Sequence, residues 1–168
     1  SGLNLPDGRE DVASDEVRPV SRDLRQLPLV SWRRAPVALL FDYQADWVLR
    51  IQPQGAGFRY MPLVMEFYSA LRRLGLDVDV LPVGACLDGY RLVVIPTLPV
   101  VDASLVTRLE QISATVLVGP RTGSKTPEHG IPAELPPGLL TRILPITVRR
   151  VESLRVGLTE RVEVEGAC

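Results

Sequence analysis

The sequence predicts a doubly wound α/β domain, a mostly parallel sheet with helices on both faces. Three observations carry that expectation. Apolar runs at 37–41 (VALLF), 92–95 (LVVI) and 115–118 (TVLV) are unbroken rather than alternating, which suits strands covered on both sides. Apolar residues at helical spacing lie between them, at 63–74 and 105–112. Strand and helix signals alternate along the chain, the rhythm of crossover units that are expected to be right-handed.

Residues 1–34 differ from the rest of the chain, being crowded with charge and closed by Ser31-Trp32-Arg33-Arg34. A helix is expected over 15–27, with Val17, Val20, Leu24 and Leu27 on one stripe. If Asp15 caps it, Pro19 is the fourth residue in, where a missing N–H costs no internal hydrogen bond. The strand at 37–41 leads into 42–60, read as a long loop that leaves the carboxyl end of the strand, where open sheets present their working segments. Pro62 then marks a helix start, Leu63, Phe67, Ala70, Leu71 and Leu74 form its stripe, and Gly75 stops it. Arg72 and Arg73 fall in its last turn, where positive charge suits the helix dipole, and a strand begins at 78–81.

After a turn at 82–89, the strand at 92–95 is ended by Pro96 and Pro99, which remove ladder donors. Asp102 or Ser104 is placed to cap a helix carrying Leu105, Leu109 and Ile112, and a strand at 115–119 comes next. Residues 120–138, rich in Pro, Gly and Thr, read as a long loop. A short helical turn is expected over 139–144. Beyond it, 147–164 alternates well enough for two edge strands or a hairpin around Gly157, with a bulge where Val148, Val151 and Leu154 break the period of two.

A chain of 168 residues, 46% hydrophobic and 23% charged, is enough for one globular domain with a real core. A formal charge of −1 leaves no electrostatic footprint for nucleic acid or an anionic membrane, so neither is an expected partner. No apolar run approaches the roughly 18 residues that span a bilayer. The amino end shows no leader pattern, which says little of the parent if the chain is an internal fragment. Cys86 and Cys168 make no disulfide framework and no Cys/His cluster offers a metal site, so plain thiols, no metal and no cofactor are expected.

Several pieces of the chain are similar to the middle domain of the glycoside hydrolase family 42 β-galactosidases, called the trimerisation domain. They are Ala38-Leu39-Leu40-Phe41-Asp42, Asp46-Trp47, Phe58-Arg59-Tyr60, Glu66-Phe67-Tyr68 and Leu74-Gly75-Leu76-Asp77-Val78-Asp79. The resemblance rests on their order and spacing, since no single piece is diagnostic. It implies a three-layer fold like the flavodoxins and the class I glutamine amidotransferases over 35–168, with a family domain that continues past Cys168. It also implies that Asn4-Leu5-Pro6-Asp7-Gly8 and the first helix look like the closing segment of a catalytic (β/α)8 barrel. An ordinary N-terminal arm on a complete domain is the plainer alternative.

Chemistry is sought in three places. A class I amidotransferase needs a cysteine on a sharp strand-to-helix turn. The equivalent turn here is Gly119-Pro120-Arg121-Thr122-Gly123, which has no thiol, while Cys86 and His129 lie elsewhere without an obvious pairing. The run to Ser124-Lys125-Thr126 superficially resembles a phosphate-binding loop, but the glycine spacing is wrong and no helix is expected after it. Retaining glycoside hydrolysis needs two carboxyl groups about 5 to 5.5 Å apart. Glu66 and Glu110 are expected on solvated helix faces and Glu128 and Glu134 on loops, so no catalytic residue is carried over.

What remains is the segment 42–60. Asp46, Trp47, Arg50, Phe58, Arg59 and Tyr60 are its candidate interface or active-site rim residues, with Trp47 as anchor, because aromatic and arginine side chains are enriched at contacts. The alternative is that Trp47, Phe58 and Tyr60 cover the sheet's own edge. The resemblance implies a self-associating, homotrimeric β-galactosidase in the cytoplasm, with galactoside bound only in a barrel that this chain lacks. The alternative function is a free-standing module of amidotransferase-like fold that binds a small ligand at the carboxyl ends of its strands.

Overall fold

The computed structural model describes residues 3–28, 33–152, 154, 155 and 157–161. They form two compact units, Ser1–Arg33 and Arg34–Cys168. Ser31, Trp32, Cys168 and the part of the expected hairpin at 162–164 lie outside the described residues.

In the first unit, a turn at Gly8 (φ +83°) lets Asn4 and Glu10 bridge as antiparallel neighbours. The helix α1 spans Ala13–Gln26, two residues earlier than expected at its start. The Asp11 carboxylate accepts from the Ala13 amide at 3.0 Å, and Ser14 Oγ donates to the Leu3 carbonyl at 2.7 Å, so the turn before the helix sets its origin. Pro19 is therefore the seventh helical residue rather than the fourth. Its ring lacks the N–H that the Asp15 carbonyl would accept, a cost that the expected helix start concealed. Val20, Leu24 and Leu27 are exposed by more than half.

The second unit carries a parallel sheet of four strands, β1 (Val37–Phe41), β2 (Val78–Pro82), β3 (Leu92–Ile95) and β4 (Thr115–Val118), in the order β2-β1-β3-β4. This is the start of the flavodoxin-like order. Val37 stands opposite Val78 on one side and Leu92 on the other, and Val93 opposite Val116. The helices α2 (Tyr43–Ile51) and α3 (Tyr60–Arg73) lie between β1 and β2, and α4 (Ala103–Gln111) between β3 and β4. The two crossovers step in opposite directions from the centre of the sheet, so right-handed connections put α3 and α4 on opposite faces. Three layers result.

Burial agrees with that layering. Successive strand residues point to opposite faces, yet Val37, Ala38, Leu39 and Leu40 are all at most 3% exposed, as are Val93, Val94 and Ile95. Each buried leucine or isoleucine of this kind contributes about 1.5–3 kcal/mol. The edge strands β2 and β4 are only partly covered. On the helices, α3 buries Tyr60, Val64 and Leu71 with Phe67 packed beside them, and α4 buries Leu105, Val106 and Leu109. The expected α3 stripe is rotated, because Ala70 and Leu74 are exposed while Tyr60 and Val64 point inward. Asp102 caps α4, its carboxylate accepting from the Leu105 amide at 2.7 Å. Arg108 on α4 donates to the carbonyls of Val83 and Ala85, tying that helix to the connection between β2 and β3.

The loop at 120–138 tracks the segment after β3 rather than wandering. Gly123 and Lys125 donate to the carbonyls of Leu98 and Pro99, and Val100 bridges Lys125 in parallel. A 3-10 turn at Gly138–Arg142 then drops Leu140, fully buried, into the core. The two edge strands or hairpin expected over 147–164 do not form among the described residues. The apolar residues there do not hold a period of two, and Ile146, Val151, Leu154 and Leu158 are exposed. No helix among the described residues is long and apolar enough to cross a membrane.

Candidate functional site

The segment 42–60, expected to be a loop, contains a helix. Asp42 leaves β1 in extended conformation and its carboxylate accepts from the Gln44 amide at 3.0 Å, an N-cap that starts α2 at Tyr43. Ala45, Val48 and Leu49 recur on one face and are buried, so the helix is held by the core. Only residues 52–59 remain as a connection to α3.

The six candidate residues are redistributed by this helix. Asp46 is buried on α2, 8% exposed, and pairs with exposed Arg50 one turn on, at 2.9 Å. Phe58 packs against the core, Arg59 is the exposed residue that precedes α3, and Tyr60 is its first residue, 1% exposed. These five line one open cavity of about 760 Å³ between α2 and the start of α3. Trp47 does not. It lies 58% exposed on the outer face of α2 with Tyr43 at 67% and Ile51 at 77%, at positions i, i+4 and i+8. The three aromatics grouped together on sequence grounds are thus divided, with Trp47 outward and Phe58 and Tyr60 inward.

Tyr60 organises the inner side. Its hydroxyl accepts from the Asp42 amide at 2.6 Å, and its ring sits 5.4 Å from that of Phe41, so the end of β1, the cap of α2 and the start of α3 are fastened at one point. Burial pushes the Tyr60 hydroxyl up to about 12. The carboxylates of Asp42 and Asp46 add to the rise, against the Asp42 amide, which lowers it.

Cys86 is exposed in the β2–β3 connection, its thiol 3.4 Å from an oxygen of Asp88. His129 is exposed, with φ +62°, and lines a small cavity with Asp42, Gln44 and Val100 whose walls do not include Cys86. Glu66, Glu128 and Glu134 are exposed, and Glu110 pairs with Arg142 at 2.7 Å. No helix lies between β4 and Gly138, so the amides of a phosphate cradle are not supplied there.

The turn after β4 was missed by sequence reasoning as anything but a place lacking a thiol. Arg121 at its apex has φ +64°, a left-handed conformation that costs a non-glycine residue about 1–2 kcal/mol. Gly119 and Gly123 flank it by necessity. A Cβ on Gly119 would sit 1.9 Å from the Pro96 carbonyl oxygen, and one on Gly123, itself at φ +69°, 2.2 Å from that of Pro137. Thr122, buried, donates to the Gly119 carbonyl at 2.9 Å and accepts from the Leu98 amide at 3.2 Å. Glycines two residues to either side of an arginine were the available signal.

Comparison with known proteins bears on this geometry. Residues 35–168 match the family model described as the beta-galactosidase trimerisation domain. Over 163 residues the chain is 51% identical to beta-galactosidase BgaA of a Thermus species and 50% identical to a beta-galactosidase of Thermus thermophilus, covering 97% of this chain and 25% of each relative. Among solved structures, the beta-galactosidase of the psychrophilic Marinomonas ef1 aligns with TM-score 0.71 at 39% identity, over 92% of this chain and 25% of that one. The beta-galactosidase of the haloarchaeon Halorubrum lacusprofundi aligns with TM-score 0.72 at 39% identity, over 94% and 24%. The chain spans about a quarter of the length of the relatives it matches. With its parallel three-layer body and a match over 35–168, the chain belongs to the beta-galactosidase trimerisation domain family.

Proposed function

We propose that this segment is the self-association body of a β-galactosidase. In that reading it holds three copies together, while terminal β-D-galactosyl bonds are hydrolysed by a retaining glutamate pair in a barrel outside residues 1–168. The observation that carries the proposal is membership of a family described by its trimerisation, in a chain whose relatives are four times as long and named β-galactosidases.

The contact surface we assign is the outer face of α2. Tyr43, Trp47 and Ile51 form an apolar stripe whose opposite side is anchored in the core, and Arg50 stands beside it. Aromatic anchors flanked by arginine are what a buried contact centre uses. The inner five candidates, Asp46, Arg50, Phe58, Arg59 and Tyr60, shape the rim next to that stripe. The unit Ser1–Arg33 fits the closing segment of the barrel in the same reading, because Val20 and Leu24 on α1 and Leu27 directly after it are exposed and would be covered there.

Two measurements test this. The purified segment is expected to show no turnover of a chromogenic galactoside, and turnover would place the chemistry inside it. The whole polypeptide is expected to sediment as a trimer, and a monomer across the micromolar range would refute the assembly role.

A further inference from the structure

We propose that Arg121 is a positioning residue that sets the connection between α2 and α3. It stands at the apex of a Gly-x-Arg-x-Gly turn, the place where a sharp turn after a strand carries a nucleophile in hydrolases and transferases built on such turns. The turn keeps its strained shape, with φ +64° at the arginine and two glycines that have no room for a Cβ. A glycine at the apex would take that conformation without strain. An arginine at that position is explained if its side chain is used, because strain of this kind persists where the surroundings gain from it.

The guanidinium reaches 67 positions back along the chain. It donates to Gln54 Oε1 at 3.1 Å and makes a longer contact, 3.5 Å, with the Gln54 carbonyl. Gln54 belongs to the stretch 52–59, which supplies Pro53, Gly55, Ala56, Phe58 and Arg59 to the wall of the large cavity. That stretch contains Gly55 and Gly57, has no helix or strand, and is closed on itself by one backbone bond, from the Phe58 amide to the Gly55 carbonyl at 3.2 Å, and by the Gln54 side-chain amide, which donates to the Gln52 carbonyl at 2.9 Å. Two glycines make it a loose piece of backbone. A planar fork of donors on a turn braced by Thr122 and by the Ser124 hydroxyl, which donates to the Arg121 carbonyl at 2.6 Å, gives it a fixed point. Arg121 thereby fixes the shape of the cavity wall, whether or not the α2 face meets another copy.

Hydrogen–deuterium exchange on the whole polypeptide tests this, comparing wild type with R121G and Q54A. R121G removes the guanidinium and relaxes the turn, while Q54A leaves the turn untouched and removes the acceptor together with the bond that the Gln54 side-chain amide donates to the Gln52 carbonyl. Both variants are expected to melt at or near the wild-type temperature and to exchange the Phe58 amide, the hydrogen-bonded one of this stretch, about ten-fold faster, with β1 and β3 unchanged. Unchanged exchange at Phe58 in R121G overturns the proposal, whatever Q54A does. So does a rise spread evenly over the sheet, or failure of R121G to fold, since either makes the residue a general scaffold element. The wild-type mass measured on the same samples keeps the two readings apart, because a monomer sinks the assembly role and leaves this result intact.

Discussion

Removing one oxygen atom, in Tyr60→Phe, separates two effects that the structure assigns to the same hydroxyl. At neutral pH the variant leaves the Asp42 amide without its acceptor at a half-buried position, while the ring keeps its place against Phe41. Stranding such a donor costs about 1–3 kcal/mol. At roughly 4 °C per kcal/mol for a domain of this size, melting is expected to fall by about 4–12 °C. At high pH the sign is different. A tyrosine whose hydroxyl is pushed up to about 12 when folded, and titrates near 10 when unfolded, holds its proton more tightly in the native state. Its contribution is fully present below about pH 10 and is lost as pH rises toward about 12, at about 1.4 kcal/mol per unit, or roughly 2–3 kcal/mol in all. Tyr90 is also raised, first by burial and then by its bond to Asp79, and it remains in the variant as a control. The assay is urea unfolding of wild type and Tyr60→Phe at a series of alkaline pH values, with tyrosinate absorbance tracked in parallel. A Tyr60→Phe protein that loses stability between pH 10 and 12 as steeply as wild type would refute the role given to this hydroxyl.

Other single residues carry expectations of their own. Trp47→Ala removes an exposed ring and is expected to change the stability of the domain by less than about 1 kcal/mol, yet to weaken self-association of the whole polypeptide by about thirty-fold or more, read by sedimentation equilibrium. Gly119→Ala forces a Cβ to 1.9 Å from the Pro96 carbonyl oxygen and is expected to cost about 3 kcal/mol or more, whereas Gly57→Ala meets nothing within 4 Å and is expected to be near neutral. Thermal melts of the pair decide it. Asp102→Ala removes the cap of α4 and is expected to cost about 1 kcal/mol in chemical denaturation, with Asp102→Asn recovering most of it.

The sheet was legible because its central strands bury both faces. Val37 to Leu40 and Val93 to Ile95 must be apolar without interruption, and that continuity is visible in a single sequence. The cap of α4 was legible only as a choice between Asp102 and Ser104, and the fold puts Ser104 inside the helix and Asp102 at its cap. The helix α2 was hidden by its own outer face. Trp47 and Ile51, exposed and apolar, blur the spacing of Ala45, Val48 and Leu49, although the Asp42 cap and the Asp46–Arg50 pair one turn apart were both present. The α3 stripe was misplaced because Leu74 extended the apparent period past the helix end, where it is 75% exposed. Pro19 sits deeper in α1 than a cap at Asp15 implies, because the fold of residues 3–11 brings the Asp11 carboxylate to the first free amide. Of the six candidate residues, the pairing of Asp46 with Arg50 accords with helical spacing alone. The inward turn of Tyr60 depends on an amide 18 positions away, which no local pattern reveals.

The central place of β1 also sets the pace at which the body is assembled. Its partners are Val78 and its neighbours on one side and Leu92 and its neighbours on the other, more than forty and more than fifty positions downstream. Among the described residues of this body no hairpin offers a short first step, and each pairing must close a long loop before any ladder bond rewards it. A nascent chain therefore carries one side of VALLF unpaired until Val94 has been made, a stretch of synthesis over which shelter by a chaperone would protect it.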